Sequence, residues 1–354
     1  MAVSAHIKLA PWVGISGALA IGVVSGLIAA WIGLPLPWML GPMIGNTIAA
    51  LMQIPLTAPG KLRTFVIPII GVMLGAGFSP EMLGQVTQWS LTFLMLLPYI
   101  VCAALASYSI YRRLGHYDPV TAFFSAMPGG LNEMLIQGEE AGGDARKIAL
   151  AHAARILIVI SCVALFFGLV LGVSGQDASA AYVQFADLTI LDAAILIAAG
   201  IAGVWLGKRL QLPAAMMLGP MIVSAIVHLI PLVHVPPPTL LVITAQIVLG
   251  TVIGCRFQGT TLREIWADLR LSGLTSAAMI AVAVAFAILI ATWSDTDLSQ
   301  AFLAFSPGGL TEMSLLAFAM GQDVAYVAVA HVARIAIVIF STPVIFRFAR
   351  KALS

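Results

Sequence analysis

The sequence predicts an all-α polytopic membrane protein built from two inverted-topology repeats, each of about five transmembrane helices plus one re-entrant or broken helical hairpin. Three observations carry this. Of the 354 residues 61% are hydrophobic and 9% charged, and apolar runs of about 18 or more residues recur along the chain. Several motifs occur twice, once in each half and in the same order. The Lys and Arg residues, finally, collect on one side of the bilayer only when the fifth apolar segment of each half dips in and returns.

In chain order, the first half has apolar segments at about 12–33, 36–54, 64–80, 90–111, 119–140 and 145–173. The second half has them at about 188–207, 212–232, 239–257, 271–293, 299–320 and 323–346. Trp12 to Gly33 is too long for the core of a signal peptide, and its flank carries only Lys8. It reads as a first span of a chain that matures near Met1. The second segments share Leu34-Pro35 with Leu40-Gly41-Pro42-Met43, and Leu212-Pro213 with Leu218-Gly219-Pro220-Met221. The third share Gly71, Gly75 and Phe78 with Gly250, Gly254 and Phe257. Residues 12–175 and 188–350 are therefore expected to be two copies of one unit.

The fifth segments differ from the rest. Pro128-Gly129-Gly130 and Pro307-Gly308-Gly309 lie near their middles, where a proline removes a backbone donor and the glycines loosen the chain. With both segments re-entrant and the amino terminus inside, Lys61, Arg63, Arg112, Arg113, Arg146, Lys147, Lys208, Arg209, Arg256, Arg263, Arg270, Arg347, Arg350 and Lys351 all fall on the cytoplasmic side. Glu81, Asp177, Asp187, Asp295, Asp297 and Asp323 fall opposite. If both crossed instead, Arg146, Lys147, Lys208 and Arg209 would move outside. Five crossings per unit turn the second unit upside down relative to the first. Irregular backbone at membrane depth must then face protein or a cavity.

The polar residues of these interruptions are duplicated too. Glu133 and Glu312 come three residues after the breaks, in the first turn of the outgoing helix, where unpaired amides and the helix dipole favour a carboxylate. Asn132 and Thr311 stand beside them as neutral hydrogen-bonding groups. On the next helix His152 and Arg155, and likewise His331 and Arg334, share one face at a three-residue spacing. Two readings are open. In one, Arg155 pairs with Glu133 and Arg334 with Glu312 as buried ion pairs that hold each hairpin. In the other, the arginines bind an anionic substrate while Glu or His exchanges a proton.

Other function classes find little in the chain. The net charge of +2 comes from scattered residues with no basic cluster, which argues against direct nucleic-acid binding. Cys102, Cys162 and Cys255 have no metal-type spacing, and His228 and His234 lack counterparts in the first half. No nucleophile–base pair, phosphate-cradling loop or dinucleotide fingerprint is present, so no enzyme, metal or cofactor is expected.

The paired Pro-Gly-Gly-Leu-Asn/Thr-Glu-Met, Leu-Gly-Pro-Met and Ala-His-Val/Ala-Ala-Arg-Ile blocks together resemble the AbrB-type bacterial membrane proteins, over nearly the whole chain. These are distinct from the small soluble DNA-binding regulator of the same name. The resemblance implies a multi-pass protein of the bacterial inner membrane. Labels within that family disagree between regulator of gene expression and ammonia monooxygenase, and the residues show no ligand cluster for the latter.

The expectation is a ten-span secondary transporter of a small polar or anionic metabolite, working by alternating access with both termini cytoplasmic. Its binding residues are expected among Pro128, Gly129, Gly130, Asn132, Glu133, His152, Arg155 and the equivalent Pro307, Gly308, Gly309, Thr311, Glu312, His331 and Arg334. Its partners are the lipid bilayer and a small molecule or ion coupled to protons or cations, and a homo-oligomer is allowed. The alternative is a membrane-embedded regulator that acts indirectly on gene expression without transport.

Overall fold

A computed structural model describes residues 11–78, 89–170, 182–259 and 262–353. The described chain is helical: α1 (Pro11–Trp31), α2 (Pro37–Leu51), α3 (Gly60–Ala76), α4 (Ser90–Arg113), α5 (Pro119–Ala126), α6 (Leu131–Glu140) and α7 (Ala145–Val170) occupy the first half. The second half holds α8 (Ile190–Arg209), α9 (Ala215–Leu229), α10 (Thr239–Gly254), α11 (Leu262–Trp293), α12 (Leu298–Phe305), α13 (Leu310–Ala319) and α14 (Val324–Leu353). In length and in place along its half, α5 matches α12, α6 matches α13 and α2 matches α9.

Among the described residues seven helices are long and apolar enough to cross a membrane: α1, α4, α7, α8, α10 with its terminal turn, α11 and α14. Large apolar side chains on their outer faces are bare, among them Trp31, Ile190 and Phe340. The protein is thus a multi-pass membrane protein. Three other segments read from the sequence as spans form shorter helices, α2 and α9 of 15 residues and α3 of 17. Fifteen residues of helix reach about 22 Å at the standard rise, against about 30 Å of hydrocarbon. The shortening has a local cause. The residues preceding α2 and α9, Leu36 and Ala214, are held left-handed at φ 47 and 50 after a proline, which starts each helix abruptly.

Each of these short helices packs between two others, α2 between α1 and α10 and α9 between α8 and α3. Each carries an internal proline, Pro42 or Pro220, and is approached on two sides by glycine-bearing helices. Along α1 the buried positions Gly14, Ala18, Gly22 and Gly26 recur every fourth residue, and along α8 Gly203 and Gly207 do the same. A Cβ at Gly203 would enter the backbone of Pro220, and one at Gly41 would strike the Ser25 carbonyl. On the other side the halves exchange partners: α3 packs on α9, and α10 packs on α2. Gly71 and Gly75 lie against the carbonyls of Met217 and Met221, while Gly250 and Gly254 lie against those of Met39 and Met43. Such approach of backbone to backbone is how helices gain dispersion contacts where lipid provides no hydrophobic drive.

A second group of helices, α4, α11 and the long α7 and α14, packs on one another and on the hairpins. Tyr99 of α4 is fully buried against Phe286 of α11 and Phe305 of α12, with ring centroids 5.8 and 5.2 Å away. Thr92 of α4 shares a 2.7 Å hydrogen bond with Tyr326 of α14, a polar link between halves. Of the acidic residues expected on the outer side, Glu81 and Asp177 lie outside the described residues.

Candidate functional site

The fifth apolar segment of each half is two short helices with an extended break between them. In the first half Asp118 caps α5, its Oδ1 accepting from the amides of Val120 (3.0 Å) and Thr121 (2.9 Å). Asp297 caps α12 in the same way, through Ser299 and Gln300. Asp118 feels a desolvation cost, but the hydroxyl and amide of Thr121 and the amide of Val120 outweigh it and hold its carboxyl below the usual range. Both helices run eight residues and stop where Met127 and Ser306 turn extended ahead of Pro128 and Pro307.

Stopping a helix inside an apolar interior strands its last carbonyls, and each unsatisfied group there costs several kcal/mol. The His–Arg pairs of the long helices answer this. Arg155 Nη1 donates to Met127 O at 2.9 Å, and its Nη2 donates to Gly129 O at 3.4 Å and to His152 Nδ1 at 3.0 Å. His152 Nε2 bonds Phe124 O at 2.9 Å. In the second half Arg334 Nη1 donates to Ser306 O at 2.5 Å, and its Nη2 reaches Gly308 O at 2.8 Å and His331 Nδ1 at 3.0 Å. His331 Nε2 bonds Leu303 O at 2.9 Å. A guanidinium only donates and a carbonyl only accepts, so both imidazoles are the neutral Nε2–H tautomer. The cations also sit at helix carboxyl ends, where the dipole favours them.

This corrects one expectation. Arg155 does not pair with Glu133, nor Arg334 with Glu312; among the described residues the ion pair seen is instead Lys147–Asp144, at 4.0 Å. The arginines are committed to backbone, because a carbonyl at the broken end lies nearer than a carboxylate one turn into the next helix.

The outgoing helices α6 and α13 begin at Gly130 and Gly309, which provide no side-chain cap. Glu133 and Glu312 fold back instead. Their Oε2 atoms occupy the space where a Cβ on Gly130 or Gly309 would stand, so a side chain at either position would push the carboxylate out of this fold. Thr311 places its hydroxyl 3.0 Å from Met217 Sδ. The side chain of Asn132 lies outside the described residues.

Both breaks open on one cavity of about 360 Å³. Gly129, Gly130, Glu133 and Arg155 line it from the first half, and Gly308, Gly309, Thr311, Glu312 and Arg334 from the second. His152 and His331 are fully buried and, like the buried Pro128 and Pro307, are not part of its wall. Two further arginines are: Arg63, in the first turn of α3, and Arg256, in the turn after α10. Sequence reasoning counted them only as cytoplasmic charges. Their equivalents in the other half are Val242 and Gly77, so a search for duplicated residues passes over them. Their charges bear on Glu312, and Arg155 lies within the field of Arg334. With four arginines and two glutamates the wall carries a formal charge of +2.

A family model described as "Transition state regulatory protein AbrB" matches residues 38–350. The chain is 26% identical to the Escherichia coli K12 protein named "Putative regulator AbrB", over 89% of this chain and 90% of that protein. It is also 26% identical to YhjN of Bacillus subtilis 168, over 93% of this chain and 91% of that protein. With a cavity-centred helical architecture on one side and a match over most of its length on the other, this chain belongs to the AbrB family of multi-pass membrane proteins.

Proposed function

We propose that the protein is a secondary transporter of a small polar or anionic metabolite, working by alternating access and coupled to protons or cations through Glu133 and Glu312. In this reading the halves are inverted repeats of five spans and one re-entrant hairpin each, with both termini cytoplasmic in a bacterial inner membrane. The observation that carries it is the meeting of two broken helices, one from each half, at a single polar cavity enclosed by apolar helices. Broken helices that aim their amino ends at a shared cavity form the binding sites of inverted-repeat transporters. In this reading no bond of the solute is made or broken.

The geometry divides the work among the candidates. His152, Arg155, His331 and Arg334 hold the carboxyl ends of α5 and α12, so they position the hairpins. Glu133 and Glu312 stand at the cavity with no cationic side chain within ion-pair distance among the described residues, and this placement supports the coupling role. The test is pH-gradient-driven uptake of a metabolite panel into proteoliposomes. Wild type accumulates a solute, and Glu133→Gln or Glu312→Gln loses gradient-driven accumulation. Folded variants that match wild type across the panel would overturn coupling by these residues.

The name of the Escherichia coli relative favours a second reading, a membrane regulator acting indirectly on gene expression. It is separated by transcript levels in cells carrying a folded, uptake-dead variant. Unchanged regulation in such cells would support a role without transport.

A further inference from the structure

Arg63 and Arg256 are the cations of the cavity that no structural task explains. Arg155 and Arg334 each spend three hydrogen bonds on a broken helix end and its histidine. Arg63 and Arg256 have no hydrogen bond or ion pair to the protein among the described residues. Both are half-buried at the cavity wall, and each lies within the other's electrostatic reach. Arg63 and Arg256 repel one another across this wall; Glu312 offsets part of that repulsion from beyond ion-pair distance, and an anion between the two guanidinium groups lowers the rest.

Further features of the cavity point the same way. The amino ends of α6 and α13 open into it at Gly130 and Gly309. Arg155 and Arg334, 5% and 3% exposed, add their positive charge to the same wall. The rest of the wall is apolar, with Ile67, Met217, Leu249, Val252 and Ile253 around the two arginines. Its size is at the low end of the roughly 300–1,000 Å³ usual for ligand sites.

We propose that Arg63 and Arg256 bind a small organic dianion, a short-chain dicarboxylate, whose carbon skeleton lies on this apolar wall and whose charge balances the +2 of the cavity. A planar guanidinium forks onto a carboxylate through two parallel N–H bonds, which makes arginine the suited partner. Arg63 and Arg256 break the symmetry of the two halves. The dianion is therefore recognised from the side on which these two residues lie, and the equivalent positions Val242 and Gly77 provide no second such pair. Binding at this site is independent of the transporter reading, and only the movement of the bound anion rests on it.

The test uses full-length purified protein in nanodiscs and isothermal titration with succinate, glutarate and adipate. Butyrate, inorganic phosphate and choline serve as monocarboxylate, compact-anion and cation controls. At least one dicarboxylate is expected to bind saturably, more than tenfold tighter than butyrate. Arg63→Gln and Arg256→Gln should each weaken it at least tenfold, with Lys partly restoring it. Unchanged monodispersity and helical circular dichroism certify the fold. No dicarboxylate binding to folded wild type, phosphate bound more tightly than every dicarboxylate, or Gln variants equal to wild type would overturn the proposal. Binding without uptake in proteoliposomes leaves the site standing and overturns the transporter reading. Uptake of a cation or neutral solute, unaffected by the Gln variants, does the reverse.

Discussion

Replacing Arg155 by Met keeps most of the side-chain volume and removes the donors. Met127 O, Gly129 O and His152 Nδ1 then lose their partner. Gly129 sits at the cavity wall, where water can replace the long 3.4 Å contact. Two buried acceptors are left, each costing about 1–3 kcal/mol when orphaned in a soluble protein. Hydrogen bonds measured inside membranes are worth less, about 0.6 and at most about 1.7 kcal/mol. Taken together these put Arg155→Met at about 2–4 kcal/mol of destabilisation. Arg334→Met should match or exceed it, because its bonds are shorter. The measurement is reversible unfolding by sodium dodecyl sulfate in mixed micelles. A double-mutant cycle with Glu133→Gln should give coupling near zero, since no ion pair joins the two residues. Variants as stable as wild type, or strong coupling to Glu133, would refute the assignment of these arginines to the broken helix ends.

Gly71→Ala and Gly250→Ala place a Cβ into the carbonyls of Met217 and Met39, backbone that cannot rotate away. Each should cost about 1–3 kcal/mol or more by the same unfolding assay, whereas Gly17→Ala, with open space around it, should be neutral. Removing the cap with Asp118→Ala should cost about 1 kcal/mol. Because the folded carboxyl is held below its ordinary range, this contribution is present at neutral pH and fades as pH falls through the folded value. Asp118→Asn should flatten that acid dependence in a stability titration. A cysteine at Lys208, in a background lacking Cys102, Cys162 and Cys255, should react with an impermeant maleimide only after the cells are opened. Labelling in intact cells would sink the inverted arrangement.

Much of the candidate site was legible before any coordinates. A proline followed by two glycines does not continue a helix, so the breaks at Pro128 and Pro307 follow from chain chemistry, and α5 and α12 stop at the residues before Met127 and Ser306. The i, i+3 spacing put His152 beside Arg155, and the 3.0 Å contact between them is what a shared helix face produces. What the arginines hold was not legible. Sequence offers a carboxylate as the evident partner of a cation, and it does not display the carbonyls stranded by a helix end.

By itself the sequence determined that this protein is helical and membrane-embedded, where its helices break, and which residues recur. Those properties depend on local composition, on backbone donors present or missing, and on spacing along one helix. Tertiary structure decided the rest. It brought the distant breaks at Pro128 and Pro307 to one cavity, turned Arg155 and Arg334 toward backbone, and added Arg63 and Arg256. The exchange of partners between α3, α9, α10 and α2 rests on glycine faces and carbonyls meeting across the halves. Such contacts depend on shape between distant segments, and no period along the chain encodes them.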